Sequence, residues 1–231
     1  MKNTNHTNIA SLFLILVVPT IALATTTVNL PSVYVGMNAG LKHNGFTEGY
    51  GDNIFKNKQP TANIFVGLEI LPKLNLEASV ETTMKSKRKS TLSGTDIYLG
   101  QSMDGETAAV KGDLKMSSIG LDLIYKLNPL CCEKFNLLLG AGVKILKADL
   151  KTYQSYEPNN YIKLKDGSIK TICKLTGGYE YMFTNNYGMR GLISWENSSA
   201  LKPIGTSKTG ERFHAKLKNS TNYTLGVLYK F

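Results

Sequence analysis

His43 and His214 are the side chains best suited to acid–base chemistry at neutral pH, and a hydrolase built on either needs a hydroxyl or water held against the imidazole. Ser207 and Glu211 lie close to His214 in the chain, but nothing in their spacing selects a site. The remaining histidine, His6, falls in a segment that reads as removable. Cys131, Cys132 and Cys173 are odd in number, and adjacent cysteines bridge each other only with a strained backbone. Zinc needs more ligands at usable spacing than these residues and the histidines offer. The chain therefore reads as non-enzymatic, with no metal or cofactor and with its cysteines serving as small apolar fillers.

A larger ionisable set has regular spacing. Glu69, Glu77, Glu81, Asp122, Lys144, Lys174, Glu180, Arg190 and Glu196 occupy polar positions in stretches where every second residue is apolar. Both signs occur, so their chemistry is mutual pairing, because an unpaired buried charge costs several kcal/mol. A second set is dense rather than spaced: KSKRKS brings together Lys85, Lys87, Arg88 and Lys89. Its chemistry is salt-sensitive attraction to phosphates or acidic glycans.

Positioning these residues requires strands. About eight runs of roughly ten residues alternate apolar with polar or small, at 32–42, 61–71, 74–84, 117–127, 135–145, 171–182, 187–196 and 223–231. In the third, Leu74, Leu76, Ala78 and Val80 oppose Asn75, Glu77, Ser79 and Glu81. The links LPKL, NPLCCEK and FTNN are short and turn-like, whereas the others, including those holding KSKRKS and Tyr153, Tyr156 and Tyr161, are long. Short and long links fall at opposite ends, which predicts an all-β, up-and-down antiparallel barrel whose closure removes both sheet edges.

The medium around that barrel is lipid on four grounds. Aromatics (Tyr125, Phe135, Tyr179, Tyr181, Tyr187, Trp195, Tyr229, Phe231) sit on the apolar face near strand ends, as membrane girdles do. Glycines crowd the charged face, where they would weaken a water-facing sheet but make room inside a narrow barrel. Strand length suits a tilted bilayer crossing. Short turns opposite long loops match barrels with periplasmic turns and extracellular loops.

Residues 1–24 have a basic start, an apolar centre interrupted by Pro19, and Ala22-Leu23-Ala24 before a threonine run, the layout of a secretory signal cleaved after Ala24. Export argues against nucleic acid as the partner of this +10 chain with a pI near 9.4. The remaining chain, 25–231, resembles a small outer-membrane β-barrel of the OmpA/OmpX-like superfamily. Its ending, with Tyr223, Leu225, Val227, Tyr229 and Phe231 on alternate positions, is similar to that family's assembly signal. The resemblance implies a Gram-negative outer-membrane location, recognition by the barrel-assembly machinery, and a barrel-only member without a periplasmic domain. About eight strands leave an interior filled by side chains, so a wide porin is not expected. Function is expected in the long loops, as a surface antigen or adhesin contacting lipopolysaccharide or host glycans and proteins. The alternatives are a narrow gated pore and, further off, a lipid A-modifying enzyme.

Overall fold

Alternation puts one side chain in two on each face of a strand, and when the strands close on themselves the two faces become an inside and an outside. The computed structural model describes residues 31–48, 57–93, 97–98, 101–102, 107–128, 134–154, 161–165, 170–198, 204–206, 212–214 and 216–231. Eight antiparallel strands form the wall: β1 (Val33–His43), β2 (Lys58–Leu71), β3 (Leu74–Thr83), β4 (Thr107–Leu127), β5 (Phe135–Gln154), β6 (Lys170–Met182), β7 (Tyr187–Glu196) and β8 (Ser220–Lys230). Each pairs with its sequence neighbour, and β1 closes on β8 from Tyr34↔Lys230 to His43↔Thr221. The up-and-down closed barrel expected from the alternation is the fold observed.

The outer face is the apolar one. Met37, Ile64 and Leu225 are 61 %, 69 % and 61 % exposed, and they belong to a continuous coat that includes Leu121, Leu139, Val143, Ile193 and Val227. A coat of this extent on every strand is incompatible with water and matches the lipid-facing band of a membrane barrel. Exposed Cys173 lies on this wall. At the short-turn end the aromatics pack together: the Tyr187 and Tyr229 rings lie 4.9 Å apart, those of Tyr229 and Phe231 5.0 Å, and those of Tyr181 and Phe183 5.4 Å. Trp195 stands at the other end of β7, where it pairs with Thr221.

The seam between first and last strands has a particular design. Gly40 pairs with Thr224, and a Cβ added there would meet the backbone carbonyl of Tyr223. A Cβ at Gly226 would meet the Met37 carbonyl. The two strands approach so closely that only glycine fits at these positions. One turn uses the same freedom without glycine: Lys73, in the link between β2 and β3, has φ 72°, a left-handed conformation uncommon outside glycine.

Three expectations need correction. The stretches before Ser117 and after Ile145 were expected to be loop, but β4 and β5 run on to 21 and 20 residues. KSKRKS was likewise expected to be loop, yet Ser86–Ser93 is a strand paired with β4 from Ser86↔Leu114 to Ser93↔Thr107. Tyr161–Lys165 pairs in turn with β5, placing Tyr161 opposite Tyr153, and Ile204–Thr206 and Arg212–His214 continue the sheet. A crown of strands thus stands above the barrel, because the backbone groups of a segment projecting from a sheet are best satisfied by extending its ladder. The third correction concerns Glu69, which lies outside the central charge network, 3.7 Å from Lys230 at the short-turn rim. Ala24, Cys131, Cys132, Tyr156, Ser207 and Glu211 lie outside the described residues.

Candidate functional site: a layered ion network in the lumen

The inward positions follow from the same alternation, and strand tilt sets which of them meet. In a tilted barrel, side chains at one height come from alternate strands and stack in layers. Lys42 on β1, Glu81 on β3, Lys144 on β5 and Glu196 on β7 form one such layer. Lys42 lies 3.0 Å from Glu81 and 2.5 Å from Glu196; Lys144 lies 3.0 Å and 2.6 Å from the same two carboxylates. Each lysine bridges both glutamates, so the four close a ring across the lumen. Lys42 and Glu196 are fully buried, and Asn222 and Ser220 donate further hydrogen bonds, at 3.0 Å to Glu81 and 3.3 Å to Glu196.

Nearer the short turns, a second odd-strand layer is built on Arg190 of β7. Its Nη1 donates to Glu77 at 2.6 Å and its Nε to Asn38 at 3.1 Å, while the guanidinium sits 3.4 Å from the centre of the Phe65 ring. The Tyr34 hydroxyl donates to the same Glu77 oxygen at 2.7 Å. The even strands supply the remaining pairs: Lys174 of β6 with Asp122 of β4 at 2.6 Å, and Lys126 of β4 with Glu180 of β6 at 2.6 Å. None of these pairs joins neighbouring strands. Space for them comes from small residues: a Cβ at Gly142, for instance, would collide with the Asp122 carboxylate.

Of the nine residues expected in the lumen, eight are in this network and Glu69 is not. Lys126 and Lys42 complete it, at positions whose alternation with apolar neighbours marks them in the same way. The described set holds five basic and five acidic side chains and is therefore neutral. Apolar side chains pack among and around these charges. Tyr34, Phe65, Leu228 and Met182 cluster on the short-turn side, whereas buried Ile124, Leu138 and Leu192 form a second cluster, in which Ile124 lies between Asp122 and Lys126 along β4 and Leu192 between Arg190 and Glu196 along β7. Toward the crown, Leu114, Met116, Leu146, Ala148, Ile172, Phe46 and Leu217 are buried. Between the charge layers lies a polar cavity of about 20 Å³ lined by Asn38, Asp122, Lys174, Arg190 and Asn222 among others, enough for about one water molecule.

The basic cluster is divided by its strand. Lys85 reaches Asp113 at 2.8 Å, Lys87 and Lys89 are exposed, and Arg88 is half-buried. His43 is exposed at the end of β1. Among the described residues, no three His, Cys, Asp or Glu side chains are arranged to hold a metal ion.

Residues 10–231 match the family model of the outer membrane protein beta-barrel domain. No curated protein matches the sequence. Among solved structures, OprG from Pseudomonas aeruginosa aligns with TM-score 0.53 at 10 % identity, covering 87 % of this chain and 97 % of that one. Neisserial surface protein A aligns with TM-score 0.51 at 15 % identity, over 86 % of this chain and 97 % of that one. The attachment invasion locus protein Ail of Yersinia pestis aligns with TM-score 0.50 at 12 % identity, over 87 % and 99 %. At these identities the likeness is one of fold.

Proposed function

The chain belongs to the outer membrane protein beta-barrel domain family, and from that premise we propose that it is a non-conducting surface protein, exported through a cleaved signal, whose basic crown adheres to acidic host glycans. One observation carries the reading. The lumen network is neutral, so the chain's formal +10 lies outside it, and Lys87, Arg88 and Lys89 stand on a paired strand above the apolar wall. A strand holds its charges in fixed positions, and a rigid scaffold presenting exposed segments is how such proteins recognise partners. Attraction of this kind weakens with ionic strength. The variant Lys87→Gln/Arg88→Gln/Lys89→Gln is expected to bind immobilised heparin more weakly than wild type, with a shallower loss on added salt. Equal binding would remove the adhesin reading.

Non-conduction is supported by the ion pairs and buried apolar side chains that fill the lumen and by a cavity with room for about one water. Arg190→Ala, which frees Glu77 from its guanidinium partner, is expected to leave planar-bilayer conductance at the background of the empty membrane. Discrete channel openings in either protein would favour the gated-pore reading instead.

A further inference from the structure

We propose that Gln59 and Thr83 are positioning residues for the crown: they lock a bulge that turns Lys87 and Lys89 to the outer face. The use of those lysines in binding rests on the adhesin reading above, whereas the lock itself does not. Register reveals the bulge. Thr82 pairs with Ser117 of β4, and the next pair along the same ladder is Ser86 with Leu114. Thr83, Met84 and Lys85 therefore stand opposite only Met116 and Lys115, one residue in excess. The extra residue resets the alternation. Thr83 is buried, Met84 and Lys85 are both exposed, and Ser86 is buried again. From there Lys87 and Lys89 are exposed, with half-buried Arg88 between them. Unbroken alternation from Thr83 would instead aim Lys85, Lys87 and Lys89 at the lumen side, because a slip of one residue moves every side chain to the other face.

A bulge interrupts the ladder, and the backbone groups around it need other partners. Two side chains meet the β4 backbone at this point. The Met116 amide donates to the Thr83 hydroxyl at 2.8 Å, and the Leu114 carbonyl accepts from Gln59 Nε2 at 2.8 Å. Gln59 belongs to β2, so it reaches β4 across the bulged strand, and the same nitrogen donates to the Ser86 hydroxyl at 3.1 Å. Asn44 Nδ2 donates to Gln59 Oε1 at 3.0 Å. Both faces of the amide are thus engaged, donors and carbonyl alike. Gln59 and Asn44 have no exposed surface, so turning the amide away would cost buried groups their partners with no water to replace them. Met84 is held from the other side, where its amide donates to the Pro60 carbonyl of β2 at 2.9 Å.

Hydrogen exchange read by mass spectrometry on the full chain, refolded into detergent micelles, tests the lock. In Thr83→Val and in Gln59→Leu the amides of Ser86–Ser93 are expected to exchange severalfold faster than in wild type, while those of β7 and β8 are unchanged. Thr83→Ser, which restores the hydroxyl, is expected to return the crown strand to the wild-type rate. The lock is overturned if neither variant changes exchange in the crown strand, if Thr83→Ser is as fast as Thr83→Val, or if the whole barrel loosens equally. Should Gln59→Leu fail to reach the heat-modifiable form, the pair Thr83→Val and Thr83→Ser decides alone. Positioning is read separately on immobilised heparin. Both variants keep Lys87, Arg88 and Lys89, yet are expected to bind severalfold more weakly than wild type. Wild-type affinity in a variant whose crown strand exchanges faster would overturn the positioning role. Absence of heparin binding by the wild type would remove the adhesin reading, and the exchange rates would still decide the lock.

Discussion

Glu196→Ala is expected to destabilise the folded barrel by about 3–5 kcal/mol, because removing one member of a buried ion pair strands its partners without compensation. Glu196 contacts both Lys42 and Lys144, and its loss leaves two buried ammonium groups competing for Glu81. Urea unfolding of the protein refolded into lipid vesicles measures this as a lowered midpoint. The companion variant separates pairing from packing: Lys42→Met/Glu81→Leu/Lys144→Met/Glu196→Leu is expected to recover most of the loss, since well-packed apolar replacements for buried ion clusters are often neutral or stabilising. An unchanged midpoint for Glu196→Ala would mean that water enters the ring and screens it.

Gly40→Val is expected to have a comparable effect by a different route. Its side chain would enter the space of the Tyr223 carbonyl and the Thr224 backbone, and a ladder of hydrogen bonds cannot move aside as a flexible side chain can. Overpacking costs about 1–3 kcal/mol where neighbours can adjust. Here the strain falls on the pairing of β1 with β8, so the seam should open and the heat-modifiable species should be lost. The contrast is Gly177, which lies on the wall with nothing within 4 Å of an added Cβ. Gly177→Ala is expected to be tolerated or to stabilise slightly, because glycine in a strand carries an entropic cost of ~0.5–1 kcal/mol. Similar behaviour of the two variants would show that the seam is not the constraint.

Much of the wall was legible because lipid and lumen differ so sharply. Where one face meets hydrocarbon and the other meets charge, alternation is unambiguous, and all eight strands stand where it places them. Above the bilayer the contrast disappears. The extension of β4 reads TAAVKGDLKM and the crown strand SKRKSTLS, with polar residues on both faces, so neither showed the period that marks a strand. The ladder there depends on register between distant segments, which composition does not carry. The charge network was legible in its members more than in its geometry. Alternation says that Glu69 and Glu81 point the same way, but not that one lies at the rim with Lys230 and the other at the centre. Nor does it reveal that partners come from alternate strands, since that follows from the tilt of the closed barrel.

The alternate-strand layering has an evolutionary consequence. Lys42, Glu81, Lys144 and Glu196 are widely separated in the chain and lie on strands that share no backbone hydrogen bonds, yet none can change alone without leaving its partners unsatisfied. Among relatives these four positions should covary as a block, with a reversed set of signs or an all-apolar set acceptable and mixed sets rare. Outward positions on the same strands, which answer only to lipid, should drift independently. The lumen would then preserve the record of ancestry in this barrel while its wall loses it.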